Sequence, residues 1–170
     1  MKKLLFLAVA LVMVATGANA QTKAVNDAVK AVNKAKAESE NPKKAGASAT
    51  WVKLANAYIA CYDAPANGLL AGSPKFQIDM VLKGQPALST EQVEKGGKLL
   101  TADTYSDKVL YYDENGVLIA WTVSKPALEG ALDLAFDAIK KAQELDAQNK
   151  QAKGIKQSVT NIKNKFYEGA

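Results

Sequence analysis

The sequence contains no histidine and no arginine, and its only cysteine is Cys61. Histidine is the commonest general base, the usual base of catalytic triads and the commonest metal ligand, so its absence disfavours most enzymes and metal sites. Because all 22 basic residues are lysines, the chain lacks the side chain suited to bidentate recognition of phosphate and guanine, which argues against nucleic-acid binding. One cysteine excludes an internal disulfide. We expect a buried apolar Cys61, with an intermolecular disulfide as the alternative.

The chain has only one long apolar run, and it lies at the N-terminus. Lys2 and Lys3 precede apolar residues 4–14, and a small-residue ending follows at Ala18-Asn19-Ala20. This pattern predicts a secretory signal peptide over residues 1–20, cleaved after Ala20. The alternative is an uncleaved N-terminal anchor helix, which we disfavour because the run is shorter than the ~20 residues of a membrane-spanning helix. Since Gln21 follows rather than cysteine, we expect a chain without a lipid anchor, exported to the periplasm or outside the cell.

Residue types that carry catalysis are present but form no recognisable motif. The chain has no glycine-rich phosphate loop, and its serines have no histidine partner; a serine–lysine pair is left open. Four acidic residues cluster near the predicted hairpin ends: Asp103, Asp107, Asp113 and Glu114. They lack the remainder of a calcium-loop pattern, and turns favour Asp in any case. We therefore predict no enzyme activity, no cofactor and no metal.

Residues 21–170 are predicted to form a single domain, which begins with two helices. Apolar residues at helical spacing predict the first helix over residues 22–38, ended by Pro42. The second helix is predicted from about Thr50 to Tyr62, with Ser48 or Thr50 as its N-cap.

The second helix carries the spacing Trp-x-x-Leu-Ala-x-x-Tyr. This spacing resembles the first helix of a tetratricopeptide repeat (TPR), and residues 135–147 resemble the second-helix half of the same repeat. The matching positions are Trp51, Leu54, Ala55 and Tyr58 in the first half and Ala135, Ile139 and Ala142 in the second. Gly is usual at the Ala55 position. The arrangement also resembles exported repeat proteins of the Bacteroides type of bacterium. The resemblance implies TPR-like helical hairpins, structural roles for these seven residues, and a protein or peptide partner.

An insertion over residues 63–126 splits this repeat. Ser73-Pro74, with Ser73 as the cap and Pro74 as the first helical residue, predicts the start of a short helix that ends near Lys83. Strands are predicted over residues 98–105, 108–112 and 117–123, and Asn115-Gly116 is a strong hairpin signal. The predicted fold class is therefore mostly α with a small antiparallel β insertion, a two- to three-stranded meander that includes the hairpin 108–123. A long helix is predicted to follow over residues 127–147.

A two-residue hairpin loop would pair Tyr112 with Ile119 and Leu110 with Trp121. Both faces of the hairpin would then be apolar, which is unusual for a sheet with one wet side. We expect one face to pack on the helices. The other, with Tyr111 and Leu118, is either covered by residues 69–85 or is an interaction surface. The predicted ligand- or partner-binding residues are Tyr111, Leu118, Tyr112, Trp121 and Phe76.

The last predicted helix covers residues 149–167, and the ending over residues 166–170 resembles the opening of a further repeat helix, cut short. The chain is either the N-terminal part of a longer repeat array or a short array capped by this helix, and the sequence leaves both open. The leading functional hypothesis is a non-enzymatic protein-interaction or scaffolding module of the bacterial envelope. The alternative is a small-ligand binder, for lipid, glycan or peptide, that uses the aromatic side chains of the insertion.

Overall fold

The computed structural model describes residues 23–168, so the predicted signal peptide lies outside it. Within these residues the chain is a mixed α/β fold. The helices are α1 (Lys23–Glu40), α2 (Ser48–Asp63), α3 (Lys75–Val81), α4 (Ala131–Leu145) and α5 (Ala152–Glu168), with a 3-10 turn at Ala64–Ala66. The strands are β1 (Ser89–Lys95), β2 (Lys98–Thr104), β3 (Lys108–Tyr112) and β4 (Leu118–Val123).

Helices α2 and α4 pack against each other although residues 64–130 separate them along the chain. Small side chains allow the close approach, because Ala55 on α2 and Ala135 on α4 are both fully buried. All seven positions of the repeat pattern lie in or against this helical core. The predicted pairing of the two helices is therefore confirmed, while membership of the repeat family stays a prediction.

Ser48 links these two helices directly. Its hydroxyl Oγ donates a hydrogen bond to the backbone oxygen of Ala142, at 2.8 Å. The prediction that Ser48 or Thr50 caps α2 is wrong, because the N-cap position is Ala47 and no side chain bonds there. Ser48 is instead buried inside the first turn of the helix, where its hydroxyl satisfies a carbonyl of the neighbouring helix.

Helices α1 and α5 flank the α2–α4 pair. On the α1 side, Lys53 Nζ donates to Glu38 at 2.8 Å. On the α5 side, Gly154 lies beside Val52, whose Cγ1 would be 3.5 Å from a Cβ at position 154, an ordinary van der Waals contact. Helix α4 begins at Ala131 and not at 127, because Gly130 has a φ of 64°, outside the helical region. Helix α5 begins at Ala152, three residues later than predicted.

The insertion forms a four-stranded antiparallel meander in the order β1-β2-β3-β4. The prediction of two to three strands was one short, because β1 was not recognised. Its sequence STEQVEK is mostly exposed and lacks the apolar alternation that marks a half-buried strand. Gly96 and Gly97 form the turn to β2, both with positive φ, which is the conformation that two-residue hairpin turns require.

A β-bulge shifts the register of the β3–β4 hairpin. Leu110 pairs with Trp121 as predicted, but Tyr112 pairs with Leu118 and not with Ile119. The extra residue in the bulge is Ile119, so the alternation of side chains reverses at this point. Leu118 is consequently fully buried, whereas Ile119 is 40% exposed. The predicted assignment of these two residues to the sheet faces was therefore wrong.

A second hydrophobic core lies between the sheet and α3. Ile78 of α3 packs with Leu110, Tyr112 and Leu118, and Leu69, Leu82 and Ala87 close the edges. The face expected to pack on the helical core is thus covered by residues 69–87. The segment is fixed to β4 by backbone hydrogen bonds between Ser73 and Leu118 and between Gly72 and Leu118. The prediction that Ser73 caps α3 is wrong, because the N-cap position is Pro74 and no side chain bonds there.

Candidate functional site

The five predicted binding residues do not converge on one pocket. Tyr112 and Leu118 are buried in the core under α3, and Trp121 packs against its edge. Phe76 lies on the opposite side of α3 and is 63% exposed. Tyr111 lies on the other face of the sheet. Buried side chains cannot touch a partner in the folded chain, so surface access belongs to Phe76, Tyr111 and part of Trp121, whose binding role stays a prediction.

Tyr111 is half-buried on the sheet face opposite α3. Its backbone pairs with Ala102 of β2, and Leu100 and Ala102 on the same face are buried. The ammonium nitrogen of Lys95 lies 4.1 Å from the centroid of the Tyr111 ring. This distance is a cation–π contact. The ring therefore already has one cationic neighbour from the end of β1.

A polar cluster ties α3 to the sheet. Asp103 of β2 is buried, and Lys75 Nζ donates to its Oδ2 at 2.5 Å while Thr90 Oγ1 donates to its Oδ1 at 2.6 Å. The Lys75 nitrogen also lies 5.0 Å from the centroid of the Tyr112 ring. A buried carboxylate needs such partners, because an isolated buried charge is very unfavourable. Asp103 thus has one charged and one neutral donor.

The cluster also shifts proton affinities. Burial is the largest single effect on Lys75 and lowers its pKa, but the hydrogen bond to Asp103 and the charge interactions with Asp103 and the two tyrosines together outweigh it, so the pKa of Lys75 lies above its usual value. Burial raises the pKa of Tyr112 to about 12, and burial raises the pKa of Tyr105 as well. The Tyr112 hydroxyl is buried and has no hydrogen-bond partner among residues 23–168. With these shifts Lys75 is charged and both tyrosines are neutral at pH 7, so the cluster joins α3 to the sheet through a charged hydrogen bond.

A cleft of about 480 Å³ opens where the helical core meets the insertion. One wall comes from the first turn of α1 and the 3-10 turn after α2, and the other from the end of α3, the loop that follows it and the start of β3. Three lysines line it, namely Lys23, Lys83 and Lys108. The other lining residues are apolar or uncharged and polar, so among the described residues 23–168 no carboxylate lines the cleft.

Sequence reasoning did not identify this cleft. The sequence predicts only that Lys108 begins a strand. In the structure Lys108 is 4% exposed, and its Nζ lies 2.7 Å from the Asp107 carboxylate. Lys83 has a φ of 55°, so it sits in the left-handed region where a non-glycine residue is uncommon. The neighbouring Gly84 marked the end of a helix, but no local signal indicates that Lys83 and Lys108 line one cavity. Their proximity is a consequence of the tertiary fold.

Several apolar side chains are exposed on the outer surface of the insertion. Phe76 and Met80 lie four residues apart on α3, hence on one helix face, and Met80 is 67% exposed. Leu70, in the loop before α3, is exposed as well. Ile78 lies on the opposite face of the same helix and packs against the sheet. Exposed apolar groups of this kind mark interaction surfaces when they are contiguous.

Among the described residues 23–168, neither a helix suited to cross a membrane nor a cluster of metal-binding side chains is found. No helix in residues 23–168 combines the length and the hydropathy needed to cross a membrane. In the same residues, no group of three or more acidic or cysteine side chains is placed to hold a metal ion. Comparison of the chain with protein-family models, with curated proteins and with solved structures found no match.

Proposed function

We propose that the protein is a non-enzymatic interaction or scaffolding module of the bacterial envelope, built on a TPR-like helical pair and binding a protein or peptide partner. The observation that carries this proposal is the packing of α2 on α4 across residues 64–130, with every position of the interrupted repeat pattern at or near the interface. Repeats of this type stack into arrays whose surfaces bind other chains.

The insertion is the proposed partner-binding element. The aromatic side chains of the repeat pattern are already used in packing, since Tyr58 is buried and the Trp51 indole donates to the backbone oxygen of Ala45 at 2.8 Å. The exposed apolar side chains Leu70, Phe76 and Met80 belong to the insertion instead. We therefore place the partner against the outer face of α3.

Site-specific photocrosslinking tests this placement. A photoreactive phenylalanine analogue is introduced at Phe76 or, as a matched control, at Phe136, which is 46% exposed on the outer face of α4. After irradiation of intact cells, the Phe76 variant should give a discrete crosslinked product identifiable by mass spectrometry, and the Phe136 variant should not. Products from Phe136 alone would move the partner to the helical surface, and no product from either position would refute the proposal.

Export is part of the same proposal, because the partner is expected in the envelope. N-terminal sequencing of the protein isolated from its cells should begin at Gln21. A mature chain that begins at Met1 would contradict cleavage and would favour an uncleaved N-terminal anchor helix instead.

A second candidate function is the binding of a small molecule such as a lipid, a glycan or a peptide. The cleft between the helical core and the insertion favours it, because ligand sites are concave, mostly apolar and have a few placed polar groups. Because neither tryptophan lines the cleft, calorimetric titration with envelope lipids and glycans, and not tryptophan fluorescence, tests this function. Flat responses to all of them would rule it out.

A further inference from the structure

We propose that the cleft at the junction of the helical core and the insertion is a binding site for a small organic anion with a carboxylate or phosphate head group and a short apolar tail. The inference rests on the second candidate function, because it names the ligand class of the same cleft, and it does not depend on the protein partner, which is placed against the outer face of α3. It rests on three properties of the lining residues: their charge, their apolar wall and their origin in two parts of the fold.

The charge of the cleft is one-sided. Lys83 forms no ion pair with any residue in the described range 23–168. Lys108 has Asp107 as its partner, and Lys23 has Asp27, one turn further along α1. Three ammonium groups therefore share two carboxylates, and neither carboxylate lines the cleft. A bound anion would complete the pairing.

The apolar wall fits a hydrocarbon tail. It is formed by Ala64, Pro65, Leu69, Val81 and Leu82. Val81 also closes on Gly68, where a Cβ would come within 3.0 Å of its side chain, so the wall is closely packed at this point. A volume of about 480 Å³ is within the range of ligand pockets for small molecules. The combination of a cationic rim and an apolar wall selects amphiphilic anions over purely ionic ones.

The two walls come from different parts of the chain. Lys23 belongs to α1 and Pro65 to the 3-10 turn directly after α2, at the start of the insertion, whereas Lys83 and Lys108 lie further along the insertion. A ligand that touches both would stabilise their junction, because any molecule that binds only the native state raises its apparent stability. Binding should therefore be visible as a thermal shift as well as a calorimetric signal.

Isothermal titration calorimetry with four small probes tests the proposal. Hexanoate and hexyl phosphate carry both features, acetate carries only the charge, and hexylammonium carries the tail with the opposite charge. We expect binding of hexanoate or hexyl phosphate at low ionic strength, weaker binding in high salt because of screening, and little or no binding of the other two. The better of the first two probes identifies the head group.

Two lysine variants give the matched comparison. Lys83→Gln removes a lysine of the cleft, and Lys98→Gln removes an exposed lysine in β2 that does not line it. Lys83→Gln should weaken binding about threefold to fivefold, as the loss of one partly solvated charge pair does, and Lys98→Gln should leave it unchanged. Both residues are exposed, so both variants should fold, which circular dichroism checks.

Three results would overturn the proposal. The first is no binding of either amphiphilic anion at millimolar concentration. The second is equal binding of hexylammonium, which would show that charge is not recognised. The third is an equal effect of the two lysine variants. None of these results bears on crosslinking at Phe76, so the anion site and the protein-binding function can fail separately.

Discussion

The β-bulge in the hairpin makes two adjacent residues a stringent test of the structure. Leu118 is fully buried and Ile119 is 40% exposed, whereas an unbroken hairpin would bury Ile119 and expose Leu118. Truncation to alanine removes three carbon atoms from either side chain. The two variants therefore differ in burial and not in the chemistry that is deleted.

The expected effects follow from burial. For Leu118→Ala, three fully buried carbons at about 0.8 kcal/mol each plus a cavity term give a loss of about 3 kcal/mol in the free energy of unfolding. For Ile119→Ala, the partial exposure reduces the transfer term to about 1.4 kcal/mol, and solvent fills the space so that no cavity term is added. The difference between the variants is thus about 1.5 kcal/mol or more.

Urea unfolding followed by circular dichroism and by tryptophan fluorescence measures both values. The two probes should be compared, because the sheet and the helical core have separate hydrophobic clusters and coincident transitions establish that one free energy describes both. If Ile119→Ala were at least as destabilising as Leu118→Ala, the bulge would be misplaced. If Leu118→Ala left the free energy of unfolding unchanged, Leu118 would be a surface residue and not part of the core.

Three further predictions concern the buried polar groups. Tyr112→Phe should stabilise the fold by about 1 kcal/mol, because it removes a buried hydroxyl without a partner. Burial raises the pKa of folded Tyr112 to about 12, whereas an unfolded tyrosine ionises near 10, so the wild-type protein should lose stability as the pH rises from 10 to about 12. Tyr112→Phe should reduce that loss. An unchanged profile of unfolding at alkaline pH would contradict this. Lys75→Met should lower the free energy of unfolding by about 2 kcal/mol, because it leaves the buried Asp103 with only a neutral donor. Adding Asp103→Asn should recover most of that loss in the double variant. Additive losses in a double-mutant cycle measured by urea unfolding would argue against coupling. Cys61 should resist thiol reagents until the protein unfolds, because it is fully buried and burial raises the pKa of its thiol; rapid labelling of the native protein, or a disulfide-linked dimer on a non-reducing gel, would refute this.

The helical part of the fold was predictable because its signals are local and periodic. The apolar spacing of α1, α2, α4 and α5 is the primary sign of an amphipathic helix, and the repeat resemblance linked α2 to α4 across the insertion. The helix starts were less predictable. Ser48 has the chemistry of a cap, but tertiary structure recruits its hydroxyl for the carbonyl of Ala142.

The insertion shows where sequence reasoning stops. Strand β1 pairs only on one side and exposes most of its side chains, so it has no need of the apolar alternation that identifies a strand. The bulge at Ile119 has no sequence signature, yet it changes which residues are buried. The cleft lysines are likewise distant in sequence, and only the packing of the insertion against the helical core brings Lys23 near Lys83 and Lys108.

The insertion between α2 and α4 also bears on how the chain folds. The meander pairs only strands that are neighbours along the chain, and such local pairings form quickly. The α2–α4 contact instead requires closure of the loop formed by residues 64–130, which is entropically unfavourable while that loop is a flexible coil. Early folding of the meander would shorten the flexible loop before the helices meet. In pulsed amide exchange during refolding, we therefore expect protection of β2 and β3 to precede protection of α4, so that the segment interrupting the repeat acts as the nucleus for its assembly.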